Sequence, residues 1–70
     1  MDLLGRWLRD CRVSAGMTQG QLARLAGIHQ STLSRLERGA LEGLSLWRLC
    51  SIIAVLYDRL GAEMPAIGRR

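Results

Sequence analysis

The stretch "MTQGQLARLAGIHQSTLSRLERG", residues 17–39, decides the fold of this chain. It contains two short helical patterns on either side of a central "AGIH". Thr18 can cap the first helix and Gly27 can end it, while the second pattern runs from Gln30 to about Arg38. The outward positions carry Gln, Ser, Thr and Arg, where a solvated helix more often carries Glu and Lys. The stretch therefore predicts two short helices joined by a tight turn.

One longer helix is predicted on each side of this stretch. The first runs from Asp2, as N-cap, to about Ser14, since apolar residues recur at steps of three and four and Gly16 stops the pattern. The last begins after Ser45 and reaches toward Leu60. No repeat or linker divides the chain. We expect one all-α bundle, with a C-terminal tail that is either frayed or forms a short strand.

The composition restricts the class of protein. Ten arginines, no lysine and six acidic residues give a net charge of +4, and residues 1–39 carry +3 of it, which is compatible with a nucleic-acid partner. No signal peptide or membrane span is recognisable, so we expect a soluble cytoplasmic protein. Cys11 and Cys50 are interpreted as reduced core residues, with a disulfide between them as the alternative. No catalytic arrangement, metal site or cofactor is expected.

Residues 12–39, "RVSAGMTQGQLARLAG" through "IHQSTLSRLERG", resemble the helix-turn-helix family of the lambda repressor, Cro and Xre type. A small Ala23 suits the helix crossing, Gly27 suits the turn, and Leu33 and Leu36 attach the second helix to the core. The resemblance covers residues 6–57 and implies a bundle of four to five helices. It predicts a DNA-binding domain over residues 1–61, with the helix-turn-helix unit at about 18–38 and a short tail at 62–70.

The resemblance also implies which residues contact double-stranded DNA. They are Thr18, Gln19, Gln30, Ser31, Thr32, Ser34, Arg35 and Arg38. Gln19 and Arg38 are expected at phosphates, and Thr32 at a phosphate or a thymine methyl group. The second helix would present base-reading side chains to the major groove, where Gln pairs with adenine and Arg with guanine. Gln21 is expected to face solvent.

Two further positions have roles in the scaffold. Arg12 and Glu37 match the positions that the family uses for an internal ion pair between its first and third helices. His29 is interpreted as a passive cap or a phosphate neighbour, with a pH switch as the alternative. In the loop "ALEG", Glu42 occupies a position where many family members have Lys or Arg. This difference predicts weak affinity for phosphate. Tyr57 occupies the position where family members commonly have the glycine that ends the fourth helix. We therefore expect the fourth helix to continue, and the family's usual fifth helix is doubtful.

The fourth helix is apolar over an arc of about 220°, more than the ~100° stripe that one core needs. A single core face would take Leu46, Leu49, Ile53 and Leu56. We predict that the surplus forms a homodimer interface of Trp47, Ile52, Val55 and Leu56, with Tyr57 as the alternative to Trp47. The alternative is that the C-terminal tail folds back over this surface.

These features favour a small dimeric transcriptional regulator that reads a palindromic operator, with repression as the expected mode. One alternative is an antitoxin-like protein that binds DNA and a toxin, using the tail for the toxin. Another is a protein-interaction module that keeps the fold and has lost DNA binding. The expected setting is a bacterial or phage-encoded protein at the nucleoid.

Overall fold

The computed structural model describes residues 3–40 and 44–65, and all its regular elements there are helical. They are α1 (Leu3–Ser14), α2 (Gln19–Ala26), α3 (Gln30–Glu37), α4 (Leu46–Leu60) and a closing 3-10 turn (Gly61–Glu63). The predicted all-α bundle is confirmed. The predictions for Asp2, for Glu42 and for the tail after Pro65 lie outside the described residues.

Local signals at its two ends define α2. The Thr18 hydroxyl accepts a hydrogen bond from the Gln21 N–H at 3.1 Å, and the Thr18 N–H donates to Gln21 Oε1 at 2.9 Å. This reciprocal pair is a capping box. At the other end Gly27 has φ +73°, a left-handed conformation that glycine adopts without strain. The expectation that Gln21 only faces solvent is therefore wrong, because its side chain caps the helix.

The four helices enclose one small aliphatic core. Its buried members are Leu8, Cys11, Met17, Leu22, Ala23, Leu33, Leu36, Ile52 and Leu56. Burial, together with the charge of Asp10, raises the pKa of the Cys11 thiol, so the thiol stays protonated. Cys50 is also reduced but is exposed, so its assignment to the core is wrong. It lies on the outer side of α4.

The orientation of α4 differs from the prediction. Ile52 and Leu56 are 0% exposed within the single chain, so they offer no surface to a second copy and their assignment to a dimer interface is wrong. Val55 is half-buried against the same core. Leu46, predicted to be buried, is 75% exposed. α2 packs against α4, and the buried side of α4 is the one that carries Ile52 and Leu56. Because the apolar arc of α4 is wider than one face, periodicity alone does not determine which side is buried.

The chain turns back after α4. The Trp7 Nε1–H donates a hydrogen bond to the carbonyl of Pro65 at 2.6 Å, and Met64 packs against the core. Residues 61–65 therefore form a turn that returns to α1. The described part of the tail forms no strand. Within the described ranges, none of the helices has the length and apolar character needed to cross a membrane.

Candidate nucleic-acid interface

One side of α3 is polar and points away from the core. Leu33 and Leu36 are buried on the opposite side, which attaches the helix firmly to the bundle. At about 100° per residue, the outward residues fall within an arc of roughly 140°. We call this surface the α3 face; it consists of Gln30, Ser31, Ser34, Arg35 and Arg38.

Exposure varies among these residues. Gln30, Ser31, Arg35 and Arg38 are exposed, whereas Ser34 is half-buried on the same side. Thr32 is half-buried and lies on the flank of α3, between the α3 face and the core. The α3 face therefore presents amide, hydroxyl and guanidinium groups together. These groups match the donors and acceptors that base edges and phosphates offer in a duplex.

A hydrogen-bonded ion pair joins α3 to α1. Arg12 Nε donates to Glu37 Oε2 at 2.8 Å, and Arg12 Nη2 donates to Glu37 Oε1 at 3.1 Å. Arg12 Nη1 also donates to the Met17 carbonyl at 2.9 Å, just before α2 begins. The Arg12 side chain is 13% exposed and that of Glu37 is 4% exposed. The predicted Arg12–Glu37 pair is thus present, bidentate and largely shielded from water.

Gln19 belongs to the same network, which sequence reasoning missed. Its Nε2 donates to Glu37 Oε1 at 3.0 Å, so one carboxylate holds both α1 and the first residue of α2. The resemblance indicated only the pair with Arg12, and no local pattern links residues 18 positions apart. The amide nitrogen of Gln19 has a second hydrogen, so this bond still leaves a donor for a phosphate. Glu37 therefore positions a proposed DNA-binding side chain.

The beginnings of α2 and α3 lie side by side. A Cβ built on Gly20, in the first turn of α2, would lie 3.4 Å from Gln30 Oε1 and 3.9 Å from Thr18 Oγ1. The Gln30 side chain thus lies against the start of α2. Thr18, Gln19 and Gln30, which the resemblance assigns to DNA contact, thus lie close together at the beginnings of the two helices. His29 is the N-cap residue of α3, but its side chain makes no capping hydrogen bond in the described structure.

The electrostatics of this surface favour an anionic partner. Arg35 and Arg38 are both exposed on the α3 face. Arg12 already neutralises Glu37, so this carboxylate opposes an approaching phosphate only weakly. Among the described residues, no group of three or more potential metal-ligating side chains occurs. The arrangement is suited to binding a polyanion.

A second surface lies along the outer side of α4. We call it the α4 stripe; it consists of Leu46, Trp47, Cys50, Ala54 and Tyr57. These positions follow one another at helical spacing and fall within an arc of about 100°. Trp47 is 80% exposed and Tyr57 is 62% exposed. Of the residues predicted for a dimer interface, Trp47 and its alternative Tyr57 belong to this stripe, whereas Ile52, Val55 and Leu56 do not.

The family profile described as "Helix-turn-helix domain" matches residues 3–66, which is nearly the whole chain. No curated protein matches the sequence. The match spans all four helices and includes both the α3 face and the Arg12–Glu37–Gln19 network. The chain therefore belongs to the helix-turn-helix domain family, and its fold is that of a DNA-binding domain.

Proposed function

We propose that the protein is a sequence-specific transcriptional regulator that represses by occupying a palindromic operator as a dimer. The α3 face carries this proposal, because it presents base-reading side chain types on a helix held to the core by Leu33 and Leu36. A helix of this kind fits the major groove, which is wide enough to admit it. We propose that the protein acts in the cytoplasm, at the nucleoid.

The proposed contacts divide by the chemistry of the side chains. Gln30 reads adenine and Arg35 reads guanine, each through two hydrogen bonds. The hydroxyl groups of Ser31 and Ser34 can hydrogen-bond to the edge of either base. Thr18, Gln19 and Arg38 bind phosphates, with the first N–H groups of α2 assisting at its amino end. Thr32 contacts a phosphate or a thymine methyl group from the flank of α3.

The α4 stripe supports a dimer. At about 150–250 Å² for each aromatic side chain, the exposed fractions of Trp47 and Tyr57 supply roughly 210–360 Å² per protomer, to which Leu46, Cys50 and Ala54 add. A specific interface buries about 1,200 Å² or more in total, so the stripe would form its centre and neighbouring residues its rim. A palindromic operator requires the two α3 helices of the pair to lie about 34 Å apart, one turn of the duplex. The stripe therefore replaces Ile52 and Leu56 in the proposed interface.

A matched pair of serine substitutions tests DNA binding. Ser31→Glu adds a negative charge to the α3 face, whereas Ser14→Glu adds the same charge at the exposed end of α1. At low salt, we expect wild type and Ser14→Glu to slow the migration of a mixed-sequence duplex in a gel. Ser31→Glu should bind the same duplex at least tenfold more weakly. Equal retardation by both variants would exclude the α3 face as the contact surface.

Base reading and dimerisation need separate measurements. Gln30→Ala should relax the preference at one base pair in each half-site; a uniform loss of affinity for every sequence would contradict base reading. For the dimer, sedimentation should give a monomer for Trp47→Glu and a dimer for wild type. Val13→Glu is the control, because Val13 is 60% exposed on α1 and lies outside the stripe. If Trp47→Glu instead sediments as a dimer, the α4 stripe is not the dimer interface.

A further inference from the structure

Gln19 differs from the other two glutamines of the chain, because its side-chain nitrogen is held by another side chain. Its Nε2 donates to Glu37 Oε1 at 3.0 Å. Within the described residues, Gln21 uses only its Oε1, in the capping box, and the exposed Gln30 side chain makes no hydrogen bond. Gln19 is also half-buried, and the Glu37 side chain is 4% exposed. The Gln19 carboxamide is therefore held in place before any partner binds.

The chemistry of Glu37 determines which way this carboxamide points. A carboxylate that is paired with Arg12 is ionised, so it can only accept hydrogen bonds. The amide nitrogen of Gln19, and not its oxygen, must therefore face Glu37. The second hydrogen on this nitrogen projects away from the carboxylate and remains available. A phosphate also only accepts, so the amide offers the group that a phosphate can bind.

Arg12 acts on the same site from two directions. Its Nε and Nη2 donate to the two oxygens of Glu37, which fixes the acceptor that Gln19 uses. Its Nη1 donates to the Met17 carbonyl at 2.9 Å, two residues before Gln19, which fixes the backbone that leads into α2. The positive charge of Arg12 also offsets the negative charge of Glu37, which would otherwise repel a phosphate beside Gln19.

We propose that Arg12 and Glu37 are positioning residues for DNA binding, which hold Gln19 so that its remaining N–H meets a backbone phosphate. Neither residue has to touch DNA. A side chain that is already ordered lowers the cost of making the contact. Because phosphates are alike in every sequence, the pair raises affinity for all duplexes and leaves base preference unchanged. This inference rests on the proposed DNA binding through Gln19.

The protein without DNA provides the first test. The chain has three glutamines and no asparagine, so its spectrum contains only three carboxamide NH2 pairs. The 15N order parameter of the Gln19 pair should be well above that of the Gln30 pair, which should lie below about 0.6. Replacing both Arg12 and Glu37 with methionine should make the Gln19 pair as mobile as that of Gln30. Equal mobility of the two pairs in the folded wild type would overturn the inference whether or not the protein binds DNA.

The DNA experiment is a double-mutant cycle between Gln19→Ala and the double variant Arg12→Met with Glu37→Met. The double variant keeps the net charge of +4, so the long-range attraction to DNA is preserved. In the wild type, Gln19→Ala should weaken binding of the preferred duplex at least about tenfold, as expected for a lost hydrogen bond to a charged group. In the double variant, the same substitution should cost about 2- to 12-fold less, the range for ordering one flexible side chain.

The matched control is Arg9→Met with Glu63→Met, because both residues are exposed and the net charge is again unchanged. Gln19→Ala should cost as much in this control as in the wild type. Urea denaturation shows whether the variant without Arg12 and Glu37 is folded; if it is not, the mobility of the wild-type amide pairs decides alone. A second duplex with altered base pairs measures base preference, which should be equal in the wild type and in both double variants.

Two results would overturn the inference alone. One is an equal cost of Gln19→Ala with and without the Arg12–Glu37 pair; a reduced base preference in the same variant would then show that the pair only holds α3. The other is undiminished affinity of Gln19→Ala in the wild type, which would exclude a phosphate contact there. A wild type that binds no duplex would instead refute the proposed function, and the amide spectrum would still test whether the pair orders Gln19.

Discussion

Replacing Glu37 with alanine should strongly destabilise the domain, because it removes the acceptor of three hydrogen bonds. These come from Arg12 Nε at 2.8 Å, Arg12 Nη2 at 3.1 Å and Gln19 Nε2 at 3.0 Å. The variant would leave the Arg12 guanidinium, in a side chain only 13% exposed, without its counter-charge. It would also separate the start of α2 from the end of α3.

The expected loss follows from the burial of the pair. Removing one partner of a buried ion pair costs about 3–5 kcal/mol, and the partial exposure of Arg12 favours the lower end. A domain of this length is stable by roughly 4–10 kcal/mol. A loss of about 3 kcal/mol would lower Tm by roughly 12–24 °C. The variant would therefore be close to unfolding at 37 °C.

Urea denaturation followed by circular dichroism measures this loss. Glu63→Ala is the control, because Glu63 is an exposed acidic residue and its removal changes the net charge equally. It should alter the free energy of unfolding by less than about 0.5 kcal/mol. The double variant Arg12→Met with Glu37→Met should recover most of the stability, because no buried charge remains unpaired. A loss below about 1 kcal/mol in Glu37→Ala, the value for exposed pairs, would show that burial of the Arg12–Glu37 pair does not stabilise the domain.

Three further predictions concern other parts of the molecule. Thr18→Ala should cost about 1 kcal/mol of unfolding free energy, since it removes one bond of the capping box; unchanged urea denaturation would contradict this. Arg38→Ala should reduce the slope of log affinity against log salt by about one, and an unchanged slope would exclude a phosphate contact there. A thiol reagent at pH 8 should modify Cys50 rapidly, whereas Cys11 should react only as the domain unfolds, because burial raises its pKa and blocks access. Equal rates for the two thiols would show that Cys11 is accessible.

The helix boundaries were predictable because their signals are local. Thr18 and Ser45 cap the helices that follow them, and Gly27 takes the left-handed conformation that ends α2. The capping role of Gln21 was also readable, since a threonine followed three residues later by glutamine is a capping-box pattern.

The packing of α4 was not predictable in the same way. Its apolar residues cover more than one face, so periodicity alone allowed several rotations of the helix about its axis. Which side is buried depends on α2, whose contacts are distant in sequence. For this reason the pattern places Ile52 at an interface, and Leu56 both on a core face and at an interface, although both belong to the core. The Gln19–Glu37 hydrogen bond is also long-range and has no local signature.

Selection of bound duplexes from a random pool examines base reading and two-fold symmetry together. We expect enrichment of a palindrome whose half-sites are centred about 10–10.5 base pairs apart. Enrichment of a site without two-fold symmetry would contradict the proposed dimer. Recovery of duplexes with no sequence preference would contradict sequence-specific regulation by the α3 face.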